Sequence, residues 1–179
     1  MTRLAPFLDR NARIALGHRP VALAPPTSGT VIVSCLDHRL PPESFLGLED
    51  GEAPVLRNAG GRVTPAVIHD IAFLAFLAEQ MVGPGPETLF EVAVIHHSEC
   101  GTGFLADATF RRRAAEVTGL REEDLADSVV EDPHATVRVD VRRLLESPAV
   151  SPRVSVSGHV YDLGTGRLTT VEDARRPRS

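Results

Sequence analysis

Val31-Ile32-Val33-Ser34-Cys35-Leu36-Asp37-His38-Arg39 decides how this chain is read. Residues 30–33 are β-branched and almost wholly apolar, the mark of a core strand. Gly29 stands before the segment and Pro41-Pro42 closes it. Cys35, Asp37 and Arg39 therefore lie where a parallel strand opens into its loop, the usual place for a site in an open α/β sheet. Alternate residues of an extended chain share a face, so all three are expected to point into one crevice.

A second strand, residues 89–95, runs directly into His96-His97-Ser98-Glu99-Cys100-Gly101. The only two cysteines thus follow the two clearest core strands. His97 and Cys100 form a His-x-x-Cys pair that a tight turn can aim at one metal. Together with Cys35 they offer two thiolates and an imidazole, a donor set suited to tetrahedral Zn2+. Three protein donors leave one position for a carboxylate or water, the pattern of a catalytic zinc site. His96 competes with His97 as the ligand, and the His-x-x-Cys spacing favours His97. Taken singly, a buried cysteine after a strand is usually a small core hydrophobe. The company of Asp37, Arg39 and the His-x-x-Cys-Gly turn is what argues for metal.

Three segments in this order resemble the signature of the β-class carbonic anhydrases: Cys35-Leu36-Asp37-His38-Arg39, Arg57-Asn58-Ala59-Gly60-Gly61, and His97-Ser98-Glu99-Cys100-Gly101. The similarity runs from Thr30 to Gly103 and is weaker at both ends. It implies an α/β fold with a mostly parallel central β-sheet flanked by helices. It implies zinc on Cys35, His97 and Cys100, and reversible hydration of carbon dioxide to bicarbonate and a proton by zinc-bound hydroxide. It further implies two states of Asp37. Held by Arg39, Asp37 leaves the fourth zinc position to water and orients the zinc-bound oxygen. Released, it ligates zinc itself and shuts the site, with higher pH favouring the open state. The Gly101 backbone N–H is expected to contact substrate. A homodimer or higher homo-oligomer is implied as well, with the N-terminal helix packed on the neighbouring protomer. Some relatives build a noncatalytic bicarbonate site from Trp, Arg and Tyr, and this chain has no Trp to supply one.

Two rival readings use the same residues. A related zinc hydrolase would act on carbon disulfide or carbonyl sulfide. A non-catalytic zinc-binding module would need no Asp37–Arg39 pair, and closed structural sites usually fill all four positions with Cys and His.

The totals agree with an ordinary globular chain. Its 179 residues suit a single domain, read as an N-terminal helix and connector (1–29), a zinc-site core (30–103) and a tail (172–179). Hydrophobic residues make up 42% and charged residues 24%, and a net charge of -5 offers no broad basic surface for nucleic acid. All 19 basic residues are arginine, and Arg111-Arg112-Arg113 reads as a solvated helix face. No apolar run approaches the roughly 20 residues of a bilayer span, so no membrane is expected. Two distant cysteines and no charged-then-apolar leader point to a reducing, cytoplasmic location with both thiols free.

Along the chain, residues 4–16 have the apolar spacing of an amphipathic helix. Residues 42–48 form a helical turn, and residues 53–57 a short strand whose start Pro54 puts at an edge or outside the hydrogen-bonded ladder. Gly60-Gly61 lets the backbone turn tightly. Thr64 and Pro65 open a helix over 65–81 whose wide apolar stripe predicts a largely buried element; His69 within it reads as structural. Helices are expected over 106–118, 121–130 and 136–145, strands over 154–162 and 167–171, and a frayed end over 174–179. Phe45, Phe73, Phe76 and Phe104 are possible pocket linings, and His38 a candidate proton shuttle.

Overall fold

Strand β1 (Thr30–Cys35) pairs in parallel on both sides, with β2 (Val55–Asn58) and with β3 (Phe90–His97). The computed structural model describes residues 2–177, and Met1, Arg178 and Ser179 lie outside that description. Strand β4 (Val154–Asp162) runs parallel beside β3, and β5 (Arg167–Arg175) returns antiparallel on the outer edge. The sheet order is β2-β1-β3-β4-β5, so the expected mostly parallel sheet is present.

The register explains the core. Val31 lies opposite Val92 and Val33 opposite Val94, while Val92 lies opposite Val156. One face of the sheet is thus a continuous valine surface. Helix α3 (Pro65–Val82) covers it with Val67, Ile71 and Ala75, and α6 (Pro133–Glu146) with Val137, Val141 and Leu144. Near-continuous β-branched runs are what parallel strands require, since helices crowd their faces. Gly158 admits α6: a Cβ there would sit 2.9 Å from the Val141 side chain.

Capping chemistry sets the helix starts. Thr64 accepts from the Val67 N–H at the head of α3, and Pro65 occupies its first turn, as the sequence predicts. Asp107 caps α4 (Ala108–Thr118), Gly119 ends it in the left-handed region, and Asp132 caps α6. Helix α2 (Pro42–Phe45) is one turn, and α5 (Glu122–Asp127) is short and acidic.

Three expectations change. Helix α3 is not largely buried within its own chain: Phe73, Phe76, Met81 and Val82 face outward. Its apolar stripe is wider than one sheet contact can cover. By length and composition α3 would also pass as a membrane span, which the sequence reading did not anticipate; its inner row packs on the sheet instead. The last strand is longer than expected, because β5 continues to Arg175 and takes in residues read as tail. Glu172 and Arg175 obscured it, and an edge strand tolerates such charges. Helix α1 (Ala5–Ile14) forms as expected but buries none of its residues.

Candidate metal centre

The site gathers where β1 and β3 end. Arg57 on β2 clamps the exit of β1: its Nε donates to the Cys35 carbonyl (2.9 Å) and its Nη2 to the Asp37 carbonyl (2.8 Å). The Leu36 N–H adds a bond to the Asn58 carbonyl (2.8 Å). Asn58 closes the following turn reciprocally, accepting from the Arg62 N–H and donating to the Arg62 carbonyl, both at 2.8 Å. That turn contains Gly60 (φ 81°) and Gly61 (φ 66°), left-handed positions that favour glycine.

His97 is the last residue of β3. Its Nδ1 lies 2.8 Å from the Ser98 carbonyl, which can only accept, so Nδ1 carries the proton. Nε2 is left with a bare lone pair, buried and without a hydrogen-bond partner. The Cys35 and Cys100 sulfurs lie 3.9 Å apart without a disulfide, and both cysteines are free. The donor atoms of Cys35, His97 and Cys100 all fall within 4.8 Å of one another. Glu99, just before Cys100, holds a positive φ of 55° and makes the tight turn that His-x-x-Cys requires.

The electrostatics of this cluster favour a cation. The Cys100 thiol is drawn below the ordinary thiol range, first by its hydrogen bond with Cys35 and, against burial, by His97 and Thr102. Cys35 is pushed up by the same bond and by burial, so the two thiols share one negative charge. Burial works to lower the His97 imidazole, but the Cys100 sulfur beside it outweighs burial and raises the net value. The Thr102 hydroxyl lies 3.2 Å from the Cys100 sulfur.

Asp37 stands apart from the donor cluster. Arg39 holds it bidentately, Nη2 to Oδ2 at 2.7 Å and Nε to Oδ1 at 3.1 Å, and the Arg39 N–H bonds Oδ1 at 2.9 Å. These bonds hold the carboxyl well below the usual carboxylate range against the effect of burial. The same Nη2 reaches the Glu99 carbonyl (2.9 Å), tying the Asp37 loop to the Cys100 turn. Of the four residues expected on the metal, Cys35, His97 and Cys100 come together, while Asp37 rests on Arg39.

Cys35, Asp37, Arg39 and Cys100 border a cleft of about 480 Å³, walled also by Leu36, His38, Ala59, Gly60, Gly101 and Thr102. Gly101 opens the short 3₁₀ turn after Cys100, and a Cβ on it would meet nothing within 4 Å. His38 projects into solvent, its Nδ1 3.8 Å from Asp37. Phe45 packs on Tyr161 (4.4 Å between centroids) behind Cys35 and Cys100, whereas Phe73, Phe76 and Phe104 are exposed. A larger cleft, about 560 Å³, lies among Arg142, Glu146, Arg175 and Arg176. Among the described residues it adjoins no cluster of metal donors.

A family model described as carbonic anhydrase matches residues 30–168. The chain belongs to the β-carbonic anhydrase family. It is 34% identical over 174 residues to β-carbonic anhydrase 1 of Mycobacterium tuberculosis, covering 96% of this chain and 99% of that protein. The crystal structure of carbonic anhydrase from Streptococcus mutans superposes with a TM-score of 0.78 at 32% identity, over 96% of this chain and 99% of that one. A carbon disulfide hydrolase of Acidithiobacillus thiooxidans is 26% identical over 156 residues, 76% of this chain and 74% of that protein. Membership in the family brings its enzyme class, carbonate dehydratase.

Arg62 and Asp140 are not among the candidates the sequence offers, and His96 enters there only as the rival of His97 for the metal. His96 is fully buried on Asp140 and Thr136, and Arg62 is buried on Asp140. One signal was present: Asp140 sits inside the apolar stripe 137, 141, 144 of α6, and a charge there calls for a buried partner. Nothing local marked Arg62 as that partner.

Proposed function

We propose that this chain is a zinc-dependent carbonic anhydrase interconverting carbon dioxide and bicarbonate. The observation that carries the reading is the bare, buried Nε2 of His97 beside two sulfurs 3.9 Å apart. Sulfur bonds of about 2.3 Å to a tetrahedral zinc imply sulfurs roughly 3.8 Å apart, so Cys35 and Cys100 fit with almost no movement. Two thiolates and an imidazole favour zinc over hard cations such as magnesium or calcium. When bound there, zinc supplies a water acidified toward neutral pH and a positive charge for the developing anion.

The chain's own residues do the rest. Asp37, ionised and fixed by Arg39, presents an acceptor at the cleft wall. It takes a hydrogen bond from the attacking water and turns that water's lone pair toward carbon dioxide. Arg57 holds the Cys35 and Asp37 carbonyls, so the strand exit stays fixed as this bond forms. The Thr102 hydroxyl donates to Cys100 and tempers its charge. Leu36, Ala59 and Gly60 give a small apolar wall for carbon dioxide, and the Gly101 N–H is the assigned donor to a bicarbonate oxygen. Water and carbon dioxide become bicarbonate and one proton, which passes to buffer, with exposed His38 placed to carry it. The reading includes a closed state in which Asp37 leaves Arg39 and joins the donor set, the open state gaining with pH.

A homodimer or higher homo-oligomer belongs to the same reading. Leu4 at the head of α1, Phe7, Leu8 and Ile14 on it, and Phe73, Phe76 and Met81 on α3 are apolar surfaces without cover in one chain. A reducing, cytoplasmic setting follows from the need for two free thiols.

Stopped-flow hydration of carbon dioxide, at neutral and mildly alkaline pH with zinc content measured, tests the proposal. Turnover that rises with pH and disappears with zinc in Cys35→Ser is expected. Absence of turnover with one zinc per chain would overturn it. A second reading is favoured by the 26% identity to a carbon disulfide hydrolase. Release of hydrogen sulfide from carbon disulfide or carbonyl sulfide would identify that activity.

A further inference from the structure

We infer that the buried network Arg62–Asp140–His96 is the positioning device of the metal centre, setting where Cys35, His97 and Cys100 hold their donor atoms. This rests on the zinc reading above. The carboxylate of Asp140 is wholly buried, and each of its oxygens has two donors. Oδ2 accepts from Arg62 Nε (2.7 Å) and faces His96 Nε2 (3.1 Å); Oδ1 accepts from Arg62 Nη2 and Arg143 Nη1 (both 3.2 Å). His96 is anchored at its other nitrogen to Thr136 (2.8 Å).

Each donor has a link to this network at its back. His96 and His97 are neighbours on β3, so their side chains leave the strand on opposite faces. Fixing His96 to α6 fixes the rotation of the strand end that aims His97. Arg62 directly follows Gly61, where a Cβ would come within 2.8 Å of the Cys35 backbone nitrogen, and Gly60 precedes them, where a Cβ would lie 3.1 Å from the Thr102 hydroxyl beside Cys100. Arg62 Nη1 also donates to the carbonyls of Asp127 and Val129. That segment sets Ser128 O against Gly60, and its Val130 packs with Cys35 and Cys100. One guanidinium and one carboxylate therefore join the backing of all three donors.

Stability alone does not call for this arrangement. Replacing a buried ion pair by well-packed apolar groups is often neutral or stabilising. What the pair supplies and apolar groups lack is direction: a planar fork with fixed angles, reaching α6, β3 and the loop before α6 at once.

The test uses full-length protein and three variants, Arg62→Lys, Asp140→Asn and the double variant Arg62→Met/Asp140→Leu. Zinc affinity is read by competition with a chromophoric chelator. Donor geometry is read from the visible bands of the cobalt-substituted protein, and fold from circular dichroism and melting of the metal-free form. Orienting groups behind metal ligands typically contribute 10–100-fold in affinity. At least tenfold weaker zinc binding and altered cobalt bands are expected in every variant that folds, the double variant included. Wild-type affinity and wild-type bands in a folded double variant would overturn the inference. So would failure of all three variants to fold, which would make the network structural only. Failure of the wild-type protein to bind zinc at all would instead remove the underlying reading, so the two failures are distinct.

Discussion

Gly61 lies so close behind Cys35 that a Cβ on it would come within 2.8 Å of the Cys35 backbone nitrogen. Its φ of 66° adds strain for any other residue. The obstacle is backbone of a core strand, which cannot swing aside. Gly61→Ala is expected to destabilise the protein by about 1–3 kcal/mol. It is also expected to lower zinc occupancy, because relief must displace Cys35. Thermal melts with metal analysis check this; unchanged melting and full occupancy would refute it.

Gly101 offers the opposite case, since a Cβ there enters open cleft. Gly101→Ala is expected to fold and retain zinc as the wild-type protein does. If its N–H faces the reacting molecules, the added methyl lowers kcat/KM about tenfold, a loss of about 1.4 kcal/mol of transition-state stabilisation. Equal kcat/KM in the two proteins would remove Gly101 from the substrate site.

Arg39 holds Asp37 through three donor groups and also bonds the Glu99 carbonyl. Arg39→Gln is expected to keep zinc while releasing Asp37, which frees the carboxylate to join the donor set. Turnover should fall at neutral pH and recover in part at alkaline pH, where the open state is favoured. A pH–rate profile superimposable on that of the wild-type protein would show that Arg39 does not control Asp37.

Acid stability has a definite sign. Burial acts to raise the Asp140 carboxyl, but hydrogen bonds from His96 and Arg62 outweigh it and leave it below the usual range. A depressed carboxyl contributes stability that is full above its unfolded value, about 3.9, and is lost as pH falls through the folded value. Burial lowers the His159 pKa, so its contribution is full above about 6.5 and declines as pH falls below that. In urea unfolding the wild-type protein is therefore expected to lose stability relative to His159→Gln as pH falls below about 6.5, and relative to Asp140→Asn as pH falls below about 4. A difference between wild type and His159→Gln that stays constant from about pH 7 to about pH 5 would contradict this.

Helix α1 has no buried residue, and Phe7 is 57% exposed in the single chain. Phe7→Asp is expected to shift the oligomer toward monomer in analytical ultracentrifugation without changing the circular dichroism spectrum. An unchanged sedimentation coefficient would exclude α1 from the interface.

What the chain reveals without its structure is what short-range physics dictates. The β-branched runs of β1, β3 and β4, the Thr64-Pro65 start of α3 and the paired glycines at 60 and 61 all act through neighbours within a few residues. The cluster of Cys35, His97 and Cys100 was legible for the same reason, as Cys35 and His97 end such runs and Cys100 follows three residues later. Tertiary structure alone decided the matters that depend on partners far along the chain. It gave His96, which the His-x-x-Cys spacing already sets aside, its buried partner Asp140 44 residues away. It joined Arg62 to that same Asp140 across 78 residues, and it rested Asp37 on Arg39 while Arg39 also held the Glu99 turn. It left the outer face of α3 uncovered because the sheet accepts only one row of its side chains. Periodicity tells which residues must leave water; only packing tells which of them meet.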